Sequence, residues 1–456
     1  MGIIRPELLK KILLFLLIFT LSECTSNKDY PKPNIVFIMI DDLGYGDIGC
    51  YGSKINSTPN IDRLAAGGIL LTDFHTNGPM CSPTRASLLT GMYQHRFGKK
   101  FERAISGKTD FDDGLPQEAV TIAEVLKDAG YNTGMYGKWH LGYHEPFLPT
   151  NQGFDEFIGL GAGDGDHHSH IDRWGRKDWW YNDKLKMEKG YSTELITEHS
   201  IEFIKRHKDK PFFLYVSHLA VHFPWQGPSD PPHRVEGKDY TNDKWGIIPN
   251  KNNVSPHVKA MVESVDSGVG MIMKTLSSLG LEENTLVIFT SDNGGYTHYA
   301  DSHFNISSNG PLRGQKTEIY EGGHRVPFIA YWPGKILAGS KSEAVIMTMD
   351  MFPTFMELAE IEVPVNLKLN GISVLPQLFN NEILPLRSVC WKIGDEKAIR
   401  NGKWKLCMVG SDNQELFDLS IDIGETKNLS ADNPTVVLQL IAEYNQWEND
   451  VTENYD

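Results

Sequence analysis

Asn34-Ile35-Val36-Phe37-Ile38-Met39-Ile40-Asp41-Asp42 is the stretch on which the fold turns. Its apolar run has no polar interruption and ends in two carboxylates. Such runs belong to strands buried on both faces, the condition of a parallel sheet covered by helices. In open α/β sheets ligands gather beyond the carboxyl ends of the strands, which is where Asp41 and Asp42 fall. Two adjacent acids there repel each other without a cation. A helix cap or a solvated turn is the alternative for an isolated Asp-Asp. The pattern recurs at Asn284-Thr285-Leu286-Val287-Ile288-Phe289-Thr290-Ser291-Asp292-Asn293-Gly294-Gly295, again an apolar strand followed by oxygen-bearing side chains. Pro211 to Ser217 reads as a third buried strand.

Helices are expected between these strands. Thr58 as cap and Pro59 in the first turn open one; Thr121 to Ala129 forms another, stopped by Gly130. Ser192 to Lys205 is amphipathic, and Val258 to Leu279 is long, with Glu263 and Asp266 as ordinary polar positions. Strands alternating with helices place the chain in the α/β class with a central, mainly parallel sheet. After about residue 340 the texture changes. Met349 to Thr354 starts a helix on the main sheet, Ala398 to Leu406 reads as a hairpin with an Asn401-Gly402 turn, Glu415 to Leu419 adds a strand, and Thr435 to Trp447 closes with a helix.

The 456 residues, 40% of them hydrophobic, are enough for a large core, and no solenoid-like repeat is present. A formal net charge of −15 argues against nucleic acid as partner; an anionic substrate would need a locally basic site on an acidic surface. Arg5, Lys10 and Lys11 precede an apolar run from Ile12 to Leu21, too short for a stable membrane anchor, so residues 1–23 read as an export signal. Leu21-Ser22-Glu23-Cys24 is similar to a bacterial lipoprotein box, in which Cys24 is lipidated and attaches the chain to a membrane; Glu23 departs from the usual small residue, and an ordinarily secreted chain is the alternative. The location expected is thus exported: periplasmic, outer-membrane lipoprotein or secreted. Of the five cysteines, Cys50, Cys390 and Cys407 remain once Cys24 and Cys81 are set aside; the odd number argues against a disulfide framework but leaves a Cys390–Cys407 bridge open.

Five further stretches carry chemistry. Cys81-Ser82-Pro83-Thr84-Arg85 stands at a loop-to-helix junction and is followed by Ala-Ser-Leu-Leu-Thr-Gly. A cysteine at a helix N-terminus sits in a positive field that favours its thiolate, whereas a lone cysteine there is more often structural. In Gly137-Lys138-Trp139-His140-Leu141-Gly142, Lys138 and His140 project to one side if the segment is extended. His218-Leu219-Ala220-Val221-His222-Phe223-Pro224 follows the third strand, and Pro311 to Pro327 carries Arg313, Lys316, Glu321 and Arg325, the last two as a structural turn and a carboxylate partner. The Gly-, Asp-, His- and Trp-rich segment 161–190 suits a sugar-lining loop, since aromatic faces stack on pyranose rings, with a purely structural loop as the alternative. A transition-metal cluster lacks the spacing it needs there.

These motifs together resemble the type I, formylglycine-dependent sulfatase family, over nearly the whole chain from about Asn34 to about Trp447. The resemblance implies an alkaline-phosphatase-like α/β sandwich, here residues 30–345, and a small C-terminal antiparallel-sheet subdomain with a closing helix in 346–456. It implies that Cys81 is converted to formylglycine (3-oxoalanine) by a separate maturation enzyme, and that the hydrated aldehyde is the nucleophile. It implies one Ca²⁺ held by Asp41, Asp42, Cys81, Asp292 and Asn293, an oxygen-rich set suited to a hard cation. Lys138 and Lys316 would hold sulfate, Arg85 and His140 would hold the hydrate, and His222 would protonate the leaving oxygen. Further substrate contacts are expected from His168, His170, Trp174, His218, His303 and Arg313, with the segments Gly161–Trp180 and Thr297–Asn309 choosing the sugar. The function implied is a sulfatase acting on a sulfated glycan such as carrageenan, fucan, ulvan or a glycosaminoglycan. A formylglycine-dependent phosphonate monoester hydrolase or phosphodiesterase is the alternative, and an inactive acidic-glycan-binding lipoprotein a distant one.

Overall fold

The computed structural model describes residues 32–364, 367–410 and 413–453; the export segment and Cys24 lie outside them. A ten-stranded sheet carries the core. Asn34–Ile40, buried along its whole length, lies at its centre, parallel to Phe212–His218 on one side and to Thr285–Ser291 on the other. Asn132–Lys138 and Glu156–Leu160 continue the parallel run beyond Phe212–His218. Beyond Thr285–Ser291 the sheet turns mixed: Phe328–Tyr331 is antiparallel to both of its neighbours. The mainly parallel expectation therefore holds for the five central strands, which are the ones that end at the site.

Alternation along the central strand builds two layers. Ile35, Phe37 and Met39 pack with the Cys81–Thr90, Ile122–Asp128 and Met351–Leu358 helices. Val36, Ile38 and Ile40 face the Pro59–Gly67, Ser192–His207 and Ser255–Ser278 helices. Each fully buried side chain of this size contributes about 1.5–3 kcal/mol. Two apolar faces on one strand thus explain a run without polar residues.

Three local expectations are corrected. Thr58 precedes its helix without capping it; Asp266 caps instead, accepting from Asn60 N at 2.9 Å and Ile61 N at 2.8 Å, so it is a tertiary cap and not an ordinary polar position. The hairpin turn is Gly402-Lys403, one residue later than expected, because Asn401 still pairs with Trp404. The Cys390–Cys407 bridge is excluded. In the antiparallel sheet formed by Ser388–Ile393, Glu396–Asn401, Trp404–Val409 and Asn413–Asp418, Cys390 faces the closing helix Pro434–Val451, whereas Cys407 packs with Tyr93, Ile319 and Met349 on the opposite face; both are free.

Among the described residues no helix is long and apolar enough to cross a membrane.

Candidate active site

Strand ends deliver the charged groups. Asp41 and Asp42 follow the central strand, Asp292 and Asn293 follow Thr285–Ser291, Lys138 is the last residue of its strand, and Cys81 opens the Cys81–Thr90 helix. Lys138 Nζ donates to Asp41 Oδ2 at 2.5 Å. Lys316 Nζ pairs with Asp42 and lies 3.2 Å from Cys81 Sγ, which itself donates to Asp41 Oδ1 at 3.4 Å. Arg85 donates to Asp292 Oδ2 at 2.8 and 3.0 Å, to Lys138 O at 2.7 Å and to Ser217 Oγ at 2.5 Å. Arg85 is buried, and these contacts tie it to Asp292 and to the end of the Lys138 strand. Thr317 N donates to Pro79 O at 2.9 Å and ties the Lys316 loop to the Cys81 loop.

The electrostatics follow from burial and crowding. Burial and then the charge of Asp292 push Asp41 well above the usual carboxylate range. Against burial, Arg85 and the two lysines hold Asp292 below it. Against the same cost, Asp42 and then Cys81 hold Lys316 well above its ordinary value. Burial, then Asp292 and Asp41, push the Cys81 thiol up to about 12. Desolvation and the two carboxylates thus oppose the thiolate that a helix N-terminus favours.

The site offers donors for a cation: oxygen from Asp41 and Asp42, with sulfur from Cys81 and nitrogen from His222 beside them. Asp41, Asp42, Cys81 and His222 each bring one ligand atom within 4.8 Å of the others. Asn293 Nδ2 donates to Asp42 Oδ1 at 2.8 Å and to Gly294 O at 2.9 Å, which fixes the amide's orientation and leaves its buried Oδ1 without a partner. Oxygen donors of this kind suit Ca²⁺ or Mg²⁺. A second buried cluster, His75, Glu321 and His324, is already filled by a protein cation: Lys405 Nζ lies 2.9 Å from Glu321 and 3.1 Å from His324. Arg325 pairs there with Glu321 at 3.0 Å, as its sequence context suggested, and Glu321 opens a one-turn helix.

Two histidines reach a cleft of about 220 Å³ that opens over Cys81 and Lys316. His140 has φ of +60°, so the chain has left the extended path, and Lys138 and His140 do not project side by side from a strand. Its Nε2 donates to Ile105 O at 2.9 Å, which leaves Nδ1 as a lone-pair site with no partner. Gly163 is required beside this ring: a Cβ there would stand 2.1 Å from His140 Nε2. His222 Nδ1 donates to Phe223 O at 2.7 Å, and its Nε2 lies 3.9 Å from Asp42 Oδ2. Burial and the neighbouring lysines hold both imidazoles well below the ordinary value.

Of the expected substrate contacts, Trp174 lines this cleft. The other five lie elsewhere. His168 bonds Gly227 O, His170 stacks on Trp179, His218 is buried with both nitrogens unpartnered, His303 lies against Trp225 and Trp245, and Arg313 pairs with Glu415. The cleft wall is instead completed by Asp164, Arg173, Lys244, Tyr296 and Tyr299. Asp164 and Arg173 belong to the polar segment singled out in the sequence; Lys244 lies in no motif. A larger groove of about 730 Å³ beside the Ser255–Ser278 helix is lined by Glu194, Glu198, Asp230 and Glu263, which repel an anion.

The arrangement is similar to known proteins. A family model described as Sulfatase matches residues 33–361, and one described as N-sulphoglucosamine sulphohydrolase, C-terminal, matches 315–449. N-acetylgalactosamine-6-sulfatase of Canis lupus familiaris is 33% identical over 419 residues, covering 87% of this chain and 76% of its own length. Arylsulfatase A of Homo sapiens is 32% identical over 453 residues, covering 87% and 83%. The crystal structure of Ps i-CgsB in complex with k-i-k-neocarrahexaose superposes with a TM-score of 0.80 at 31% identity, covering 93% of this chain and 94% of that one.

Proposed function

Since this chain belongs to the sulfatase family and is a sulfuric ester hydrolase, we propose that it removes sulfate from a sulfated glycan or an oligosaccharide derived from one, with Cys81 converted to formylglycine and one Ca²⁺ held by Asp41, Asp42, Asp292, Asn293 and the converted side chain. The observation that carries this reading is the placement of Lys138 and Lys316, each paired with a buried carboxylate, with Lys316 beside Cys81 under a narrow cleft.

When bound, Ca²⁺ would supply charge neutralisation for the crowded carboxylates and polarise a sulfate oxygen. Formylglycine would supply a hydrated aldehyde as the nucleophile. The chain's own residues do the rest. Lys138 and Lys316 hold the tetrahedral anion and offset charge on its oxygens. His140 is neutral with a free Nδ1, the state required to accept a proton. His222 has its Nε2 on the cleft side and serves the leaving sugar oxygen, taking up the proton it delivers once an anion in the cleft offsets the lysines. Arg85 acts through Asp292 as a positioning residue.

A glycan substrate is supported by the neocarrahexaose complex of the similar protein and by the aromatic lining of the cleft. Export by residues 1–23, with Cys24 lipidated or the chain ordinarily secreted, and maturation by a formylglycine-generating enzyme complete the proposal. So does a division into a catalytic part up to about residue 345 and a C-terminal part beyond it.

The test is a chromatographic screen of sulfated oligosaccharides with the converted, Ca²⁺-loaded enzyme, run beside phosphonate monoesters and phosphodiesters. Loss of one sulfate from a glycan is the expected result. Faster turnover of the phosphorus esters would replace this reading with the phosphonate hydrolase one.

A further inference from the structure

The outer wall of the cleft carries positive charge that the hydrolysis of one sulfate does not use. Lys244 Nζ bonds Tyr299 Oη at 3.0 Å and stands over the rings of Trp245, Tyr299 and Phe223 at 4.6, 4.7 and 5.4 Å. Among the described residues no carboxylate pairs with it. Arg173 lies over Phe223 at 5.2 Å and Trp174 at 5.8 Å, and its Nε donates to Asp164 Oδ2 at 2.7 Å. Asp164 is shared: Arg234 Nη1 donates to its other oxygen at 3.0 Å. One carboxylate between two guanidiniums leaves one positive charge in excess, and Lys244 adds a second.

The wall is built rather than incidental. Arg234 is buried, and its Nη2 donates to Lys244 O at 3.1 Å, which fixes the backbone that presents the lysine. Aromatic faces hold both cations in place and replace part of the water they lose. Lys316, on the cleft floor, is matched by Asp42, and Lys138, buried behind it, by Asp41. On the outer wall, among the described residues, Arg173, Arg234 and Lys244 have only the one carboxylate of Asp164 between them, in a protein of net charge −15. A neutral sugar needs hydroxyl partners and ring faces; it does not need an excess of positive charge on the wall of a cleft of about 220 Å³.

Resting on the sulfatase reading, we propose that Lys244 and Arg173 form a second anion subsite, so that the preferred substrate carries a further negative group, a carboxylate or a second sulfate, on or next to the sugar whose sulfate is removed.

The experiment uses the converted, Ca²⁺-loaded enzyme and three substrates: a monosulfated monosaccharide, its disulfated counterpart, and the monosulfated sugar linked to a uronate. One or both doubly anionic substrates should exceed the monosulfated one in kcat/KM by roughly 10- to 100-fold, the range of a hydrogen bond to a charged group. Preference for the disulfated sugar identifies the second group as sulfate, and preference for the uronate identifies it as carboxylate. In Lys244→Gln and Arg173→Gln the ratio should collapse, chiefly through KM; because it is taken within one enzyme, a lower folded fraction cancels. Equal or better turnover of the monosulfated sugar overturns the subsite while the sulfatase reading stands. An unchanged ratio in both variants overturns the assignment to these residues. Failure to cleave any of the three overturns the reading beneath it.

Discussion

Asn293 and Asp42 share one hydrogen bond and leave one oxygen over: Nδ2 of the amide donates to Asp42 Oδ1 at 2.8 Å, and Oδ1 of the same amide is buried with no partner. A buried acceptor left in this state costs about 1–3 kcal/mol. Asp42 N donates to Asp292 Oδ1 at 3.3 Å, so the orphan oxygen belongs to a cluster of buried carboxylates. A bound cation satisfies the oxygen and relieves the crowding at once.

Calcium should therefore raise the melting temperature whether or not Cys81 is converted. The stabilisation is about 2.7 kcal/mol at a hundred times the Kd. Asn293→Leu should remove most of the shift, because it deletes the ligand; it also deletes the Nδ2 bonds to Asp42 and Gly294, so the readout is the Ca²⁺-induced shift within each protein. Calorimetry with Ca²⁺, Mg²⁺ and Zn²⁺ is the check; a shift given by Zn²⁺ alone would reject the oxygen-ligand site.

Lys316→Met should lower kcat/KM by roughly 10²–10³-fold on sulfated sugars and aryl sulfates alike, since on the proposed reading it removes the cleft charge that offsets the sulfate. Steady-state kinetics on both substrate types decide it. A loss confined to sugars would move Lys316 from the sulfate to the leaving group.

His222→Ala should behave differently. Sugar alkoxides need a proton as the sulfur–oxygen bond breaks, and nitrophenolate needs little help, so the loss should be about 10²–10⁴-fold on a sulfated sugar and much smaller on nitrophenyl sulfate. The ratio of kcat/KM values, with Ca²⁺ and formylglycine content matched, is the readout. His218 is buried away from the cleft, so His218→Ala should leave that ratio unchanged; a selective loss there would reverse the choice of histidine.

Buried neutral histidines should make the fold acid-sensitive. Burial lowers His218 to about 3, and burial with Lys392 lowers His95 to about 3. The folded value is depressed, so the stability each contributes is complete above about 6.5, the unfolded value, and is lost as the pH falls from there towards 3. At pH 5 each has given up about 2 kcal/mol. Urea midpoints between pH 7 and pH 5 should fall less steeply in His218→Leu than in the parent; equal slopes would show that this ring does not stay neutral in the fold.

Much of this architecture is legible in local patterns. Asn34–Ile40 and Thr285–Ser291 are apolar throughout because both of their faces are covered, and the groups that follow them at Asp41, Asp42, Asp292 and Asn293 converge because the two strands are parallel neighbours. What is not legible depends on partners distant in the chain. Asp266 caps a helix 206 residues away, and Lys244 meets Tyr299 across loops that share no motif. His168 and His170 carry the right chemistry for a sugar site, yet the loop turns them onto Gly227 and Trp179 and presents Arg173 and Trp174 instead. The cysteine bridge fails on strand parity: Cys390 and Leu406 both align with Ile399, which sends Cys407 to the other face.

The central claim is that Cys81 acts after conversion to formylglycine. It stands at the N-terminus of the Cys81–Thr90 helix, 3.2 Å from Lys316 Nζ, as a thiol whose pKa burial pushes up to about 12. Mass spectrometry of the peptide spanning Met80 to Arg85, taken from a preparation of measured specific activity, tests it most directly. The aldehyde should be present in place of the thiol, and its fraction should track activity across preparations made with and without the maturation enzyme. Full activity in a preparation whose Cys81 is entirely unmodified would contradict the account.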